Sequence, residues 1–255
     1  MKFSHFFLSF MLLGLLSGQL SANDTTPPDE VLKNVEQRIN TAMSYAFMKR
    51  SISFLTDLRA EIAAVEAPDQ RRLAAYWTAY TDFQITIYQL KSRKAEEAVA
   101  TLNNAVAAVE AMDSKNAEEL TLLAYLQDFA VQFVAPEERE ALSKAASKNV
   151  MDALKLDGSN LRANYVYGRQ MFYDGATDEV ETILKKAISL PANPGNDDTQ
   201  PGWGKADTYE LLVQYYLKQG RNADAKTTLD AGLKAYPDNY QLSVLVPEVE
   251  KSGKK

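Results

Sequence analysis

Between residues 209 and 237 the apolar and small residues fall in two short helical series separated by a glycine. Tyr209, Leu212 and Tyr216 lie three and four residues apart, so they share one face of a helix. Gly220 breaks that series. Ala225, Leu229 and Gly232 then recur at helical spacing, and Pro237 closes the unit after Leu233, Lys234, Ala235 and Tyr236. A pair of helices this short cannot bury its apolar face alone, so it must stack on neighbours of the same kind. That requirement points to a row of helical pairs, with a generic antiparallel helical bundle as the alternative.

The same order of residues resembles the tetratricopeptide (TPR) pattern W-x2-L-G-x2-Y…A-x3-F…P, a helix-turn-helix repeat of roughly 34 residues. A second unit supports the resemblance. Asn164, Tyr167, Gly168 and Met171 follow the first-helix spacing, Gly175 marks the turn, and Val180, Leu184 and Ala187 follow on the second helix. Pro191 comes one residue early. Further upstream only second-helix spacing survives, in Ala146, Val150 and Ala153 and in Ala98, Leu102 and Ala105. In the earliest unit Asp82, Thr86 and Gln89 stand where the pattern wants large, small and large residues. The resemblance covers about Tyr80 to Pro237 and is carried mainly by residues 161–237. It implies an all-α, right-handed superhelical solenoid of helix-turn-helix units. The first helix of each repeat would line a concave face, and the function would be binding of a protein or peptide.

The N-terminus is a different kind of segment. Lys2 is followed by an apolar stretch from Phe6 to Leu16, then by small and polar residues ending at Ala22. This is the order of a cleaved secretory signal, and the apolar run is too short to span a bilayer. The expected location is the periplasm or the exterior, most simply of a bacterial cell, with cleavage near Ala22. Removing residues 1–22 takes away one of 28 basic residues and none of the 34 acidic ones, leaving a net charge of −7. A net acidic chain is a poor generic binder of nucleic acid or of anionic membrane. The chain has no Cys, and its one His is His5, inside the signal. Imidazole bases, Ser-His-Asp triads and ordinary zinc sites are therefore excluded from the mature chain. No catalytic residue, cofactor or metal site is assigned. Paired carboxylates of a glycan-cleaving enzyme are the remaining catalytic option, but the acids sit mostly where helix starts favour them.

The chain divides into a signal (1–22), an N-terminal helical pair (23–67), a TPR-like solenoid (68–238) and a capping helix with a basic tail (239–255). Pro247 should kink or divide that last helix. The solenoid carries an insert at 191–204, rich in Pro and Gly, for which an uninterrupted repeat array has no room. Asn193, Asn196, Asp197 and Asp198 cluster there, without the spacing of an EF-hand calcium loop.

Arg162, Tyr165, Arg169 and Tyr173 are spaced three, four and four residues apart on one helical stripe. Arg presents a planar fork to carboxylates, and Tyr adds apolar area with a polar tip. Together they suit an extended acidic peptide. Trp203, between two glycines, is either an exposed anchor for a partner or a lid folded back on its own helices. These five residues are the partner-binding candidates. The equivalent stripe of the final unit is Asp207, Glu210, Gln214 and Lys218. A small solute held in the solenoid's cavity, within an envelope transport system, is the alternative ligand.

Overall fold

The computed structural model describes residues 30–175 and 179–253. The expected signal, residues 1–22, lies outside the described residues. Among the described residues there are eleven α-helices and no strand. In chain order they are α1 (Val35–Lys49), α2 (Ser53–Ala63), α3 (Arg71–Lys91), α4 (Ala95–Glu110), α5 (Ala117–Ala130), α6 (Pro136–Leu156), α7 (Leu161–Asp174), α8 (Val180–Ser189), α9 (Lys205–Lys218), α10 (Asn222–Ala235) and α11 (Tyr240–Ser252).

Local chemistry accounts for most helix ends. Asn116 and Glu119 form a reciprocal capping box at the start of α5. The Asn160 side chain accepts from the Ala163 N–H at the start of α7, and Asn239 does the same for Leu242 in α11. Pro136 opens α6, with Glu137 and Glu138 in its first turn. A proline there disfavours helical backbone just before it. The α-helix of the apolar segment 120–134 accordingly stops with α5 at Ala130, followed by one 3-10 turn over Val131–Phe133 and extended backbone at Val134 and Ala135. Pro247 does not divide the last helix: α11 runs through it.

The helices stack as two layers. Each helix packs on its successor, and the odd-numbered helices also pack on one another: α1 on α3, α3 on α5, α5 on α7, α7 on α9 and α9 on α11. The odd helices thus form a continuous inner layer and the even ones an outer layer, as in a helical-repeat solenoid. The inner helices α3, α5, α7 and α9 begin at Arg71, Ala117, Leu161 and Lys205, intervals of 46, 44 and 44 residues. The repeat is longer than the roughly 34 residues of the TPR pattern. The 21-residue α6 and the 191–204 insert take up part of that excess.

Close contacts explain the small residues. A Cβ at Gly168 would lie 2.7 Å from Cδ2 of Leu184, so α7 and α8 approach where any side chain would force Leu184 to shift. Ala187 beside it is fully buried. The unit with the weakest pattern uses polar pairing instead: Asp82 is buried on α3, and Arg59 of α2 donates to both of its oxygens at 2.9 Å. Thr86 donates to the Asp82 carbonyl at 2.9 Å. Those positions depart from the apolar pattern because they bond α3 to α2 and to itself.

Candidate interaction site on the inner face

The 191–204 insert lies against the inner layer. Trp203 is 7 % exposed. Its ring stacks on Tyr80 of α3 at 5.7 Å and sits 5.3 Å from Tyr125 of α5. Its indole N–H donates to the Tyr76 hydroxyl at 2.8 Å. The N–H of the fully buried Trp77 indole donates in turn to the Thr199 carbonyl at 2.8 Å. Lys205 of α9 caps the Leu190 carbonyl at 2.8 Å, and the Gly202 N–H donates to the Glu36 carboxylate of α1 at 2.6 Å. With the contacts of Ala192 and Gly204 to Arg162 of α7, the insert reaches all five inner helices from α1 to α9, and the Trp203 indole is held as a lid.

Two features of the insert make that docking possible. Gly204 has φ +99°, and a Cβ there would lie 3.2 Å from side-chain atoms of Arg162 and Leu161, so glycine satisfies both backbone and space. Asp197 caps the turn that precedes it, accepting from the Thr199 N–H and hydroxyl at 2.9 and 2.7 Å. Asn193 closes the same turn onto the backbone of Asp197. Among the described residues no group of three or more metal-ligating side chains is placed to hold an ion.

The proposed stripe on α7 is split by this arrangement. Arg162 is 3 % exposed. Its guanidinium donates to Glu118 of α5 at 2.6 Å through Nε and at 2.5 Å through Nη2, and Nη1 donates to the Ala192 carbonyl at 2.8 Å. The fork is satisfied internally, so a partner reaches it only if the insert lifts. Tyr165 is buried beside Tyr125, at 6.2 Å between ring centres. Arg169 is half-buried, paired with Asp128, and its guanidinium lies 5.5 Å from the Tyr125 ring and 5.2 Å from the Tyr173 ring. Tyr173 is 64 % exposed. Arg169 and Tyr173 are thus the accessible members, and Phe172 extends them toward α9, with the Lys218 ammonium 4.9 Å from its ring.

Electrostatics add a feature that the stripe spacing does not show. Glu36, Asp207 and Glu210 all titrate above their ordinary range, each because burial disfavours the charged form. Hydrogen bonding from Gly202 and the nearby Arg162 partly offset this at Glu36. Glu210 is pushed up to about 7 by burial and then by the neighbouring Asp207. A carboxyl near 7 is what acid–base chemistry employs. Here its hydrogen-bond partner is the Gln214 amide at 3.0 Å, not a nucleophile. Burial also raises the Tyr125 hydroxyl to about 12, and those of Tyr76, Tyr80 and Tyr165 well above the usual value. These rings are apolar walls and neutral hydrogen-bonding groups.

No protein-family model matches the chain, and no curated protein does. Solved structures do. The backbone is similar to TTC0263, a thermophilic TPR protein of Thermus thermophilus, with a TM-score of 0.56 and 18% identity over 84% of this chain and 98% of that one. It is also similar to the HusA haemophore of Porphyromonas gingivalis, with a TM-score of 0.54 and 24% identity over 77% of this chain and 96% of that one. The fold is therefore a TPR-like, all-α helical solenoid. Among the described residues no helix is long and apolar enough to cross a membrane.

Proposed function

We propose that the protein is an exported, non-catalytic adaptor of the cell envelope that binds a protein or peptide segment on its inner face. The observation that carries the reading is the Arg169–Tyr173 edge. A cation is held between two rings, with the outer ring exposed, beside a groove whose deeper part is already filled by the protein's own insert. Such a preorganised edge binds with little loss of side-chain freedom. A partner would meet Arg169 and Tyr173 first, and would reach Arg162, Tyr165 and Trp203 only by displacing the insert. The helical-repeat scaffold and the absence of His and Cys beyond the signal support a binding role. Export rests on Lys2, the apolar run Phe6–Leu16 and Ala22.

The test begins with the mature protein as bait in extract from its own cell envelope. The partner recovered is then titrated against native protein, the Arg169→Ala/Tyr173→Ala double variant and Trp203→Ala. Loss of affinity in the double variant supports the edge. Native affinity in a folded double variant refutes it, and loss confined to a Trp203→Ala variant shown by circular dichroism to be folded moves the site to the insert. For export, intact mass of protein from the native host should show an N-terminus at or near Asn23; retained Met1 refutes cleavage.

A second reading is a flat aromatic solute of the tetrapyrrole class. The partly buried aromatic cluster of Phe83, Tyr125 and Phe129, with ring centres 5.0 and 5.1 Å from Phe83, favours it, as does the fold shared with a haemophore. With no Cys, and His5 alone within the signal, an axial ligand would have to be Tyr or Met. Titration with haemin, read by its absorption band, decides: saturable binding that is lost in Phe129→Ala supports this reading, and an unshifted spectrum removes it.

A further inference from the structure

A cavity of about 480 Å³ opens where the C-terminal ends of α1 and α3 meet, and it shares no lining residue with the inner-face site. Its volume is within the range of small-molecule pockets. Phe47, Ile52 and Tyr88 give it an apolar floor, with the Phe47 and Tyr88 rings 5.2 Å apart. Phe47 is 45 % exposed, which leaves its ring available on one side. The rim carries Arg50, Lys91 and Lys94.

Two observations set this rim apart from ordinary solvated lysines. First, Lys94 has an exposed partner in Glu97 at 3.1 Å, whereas the side chains of Arg50 and Lys91 make no hydrogen bond or ion pair among the described residues. Lys49 and Arg93 flank them in the same state. Unpaired cations are thus gathered at one place on a chain of net charge −6. Second, Arg50 and Arg93 both hold left-handed backbone, with φ 53° and 62°. Glycine adopts that conformation without strain, and a bulky side chain does not. Both turns beside the pocket nevertheless carry arginine. The negative ends of the α1 and α3 dipoles help hold these cations in place, but they do not account for an apolar floor beneath them.

An apolar floor under a cationic rim is complementary to an amphipathic monoanion. We infer that this pocket binds a small alkyl carboxylate, with its chain laid over Phe47, Ile52 and Tyr88 and its carboxylate between Arg50 and Lys91. Arg suits the carboxylate because its fork can donate two parallel hydrogen bonds.

Decanoate is the probe, followed by calorimetry on the mature protein, with decyltrimethylammonium as the chain-matched cation. The variant is Arg50→Asn with Lys91→Gln, because Asn tolerates the left-handed backbone at position 50 and both side chains are exposed. Phe47→Ala tests the floor separately. The expected result is saturable binding of one decanoate per chain, roughly tenfold weaker in the charge variant and in Phe47→Ala, and no saturable binding of the cation. Circular dichroism and the melting temperature should show both variants folded. Equal binding of anion and cation overturns the assignment, as do an unchanged affinity in the charge variant and no decanoate binding at all. Sedimentation with phosphatidylglycerol vesicles separates a free carboxylate from a lipid surface. Vesicle binding that is lost in the charge variant, with no decanoate heat, would also overturn the assignment and identify a membrane contact instead.

Discussion

The indole N–H of Trp203 donates to the hydroxyl of Tyr76 across 127 residues of sequence, at 2.8 Å, inside the layer of helices that a partner would otherwise line. Both groups are buried, so each would be left unsatisfied without the other. This bond makes the insert part of the fold.

Trp203→Ala removes that bond and the ring that fills the space between Tyr80 and Tyr125. Truncating a buried Trp costs about 3–5 kcal/mol. Urea unfolding followed by circular dichroism should show a loss of that order. An unchanged midpoint would mean that the Trp203 side chain contributes nothing to the folded state.

Arg162→Ala should be nearly as damaging, although the spacing of Arg162 marks it as a partner contact. Breaking a buried pair costs about 3–5 kcal/mol, because the remaining charge is left uncompensated. A double-mutant cycle with Glu118→Ala measures the coupling. The expected outcome is a double variant much more stable than the sum of the two single losses implies. Strict additivity would contradict the geometry.

Gly168→Leu should overpack the α7–α8 contact, where a Cβ alone would meet Leu184 at 2.7 Å. Overpacking costs about 1–3 kcal/mol. Gly168→Ala should cost less, because the flexible end of Leu184 can move. Thermal unfolding of both variants checks the order.

Glu210 makes stability depend on pH. Its carboxyl is raised from 4.5 to about 7 in the folded protein, so the folded state holds this proton more tightly than the unfolded chain. Stability linked to it is fully present below 4.5, falls as pH rises, and is lost above about 7. The full span is worth roughly 3 kcal/mol. Glu210→Gln should therefore stabilise the protein at pH 8, leave it nearly unchanged at pH 4 and flatten the slope between. Chemical unfolding across that range is the measurement, and a slope equal to that of the native protein would remove Glu210 as its source.

Helices and turns were legible in the sequence because their signals are local. Val35, Ile39, Ala42 and Ala46 all belong to the buried face of α1, as their spacing requires. Gly175, which marks the turn in the sequence, ends α7 in left-handed backbone, and Asn160, a residue type suited to capping, caps its start. Ala98, Leu102 and Ala105 are fully buried on α4 although their unit barely follows the repeat pattern. A 3.6-residue period is read from neighbours a few positions apart, so it survives wherever a helix buries one face.

Which polar groups meet was decided by the tertiary structure. Asp82 breaks the repeat pattern along the chain, and in space it faces Arg59. Arg162 and Arg169 have the same spacing relation to their stripe, yet one is locked to Glu118 and the insert while the other stays at the accessible edge. The difference comes from segments 30 to 44 residues away, Ala192, Trp203 and Glu118 against Asp128 and Tyr125. Helical periodicity reports which face a residue occupies. It carries no information about what a Pro- and Gly-rich insert will lay across that face, because the docking of such a segment depends on hydrogen bonds and ring contacts formed only once the inner helices have been assembled.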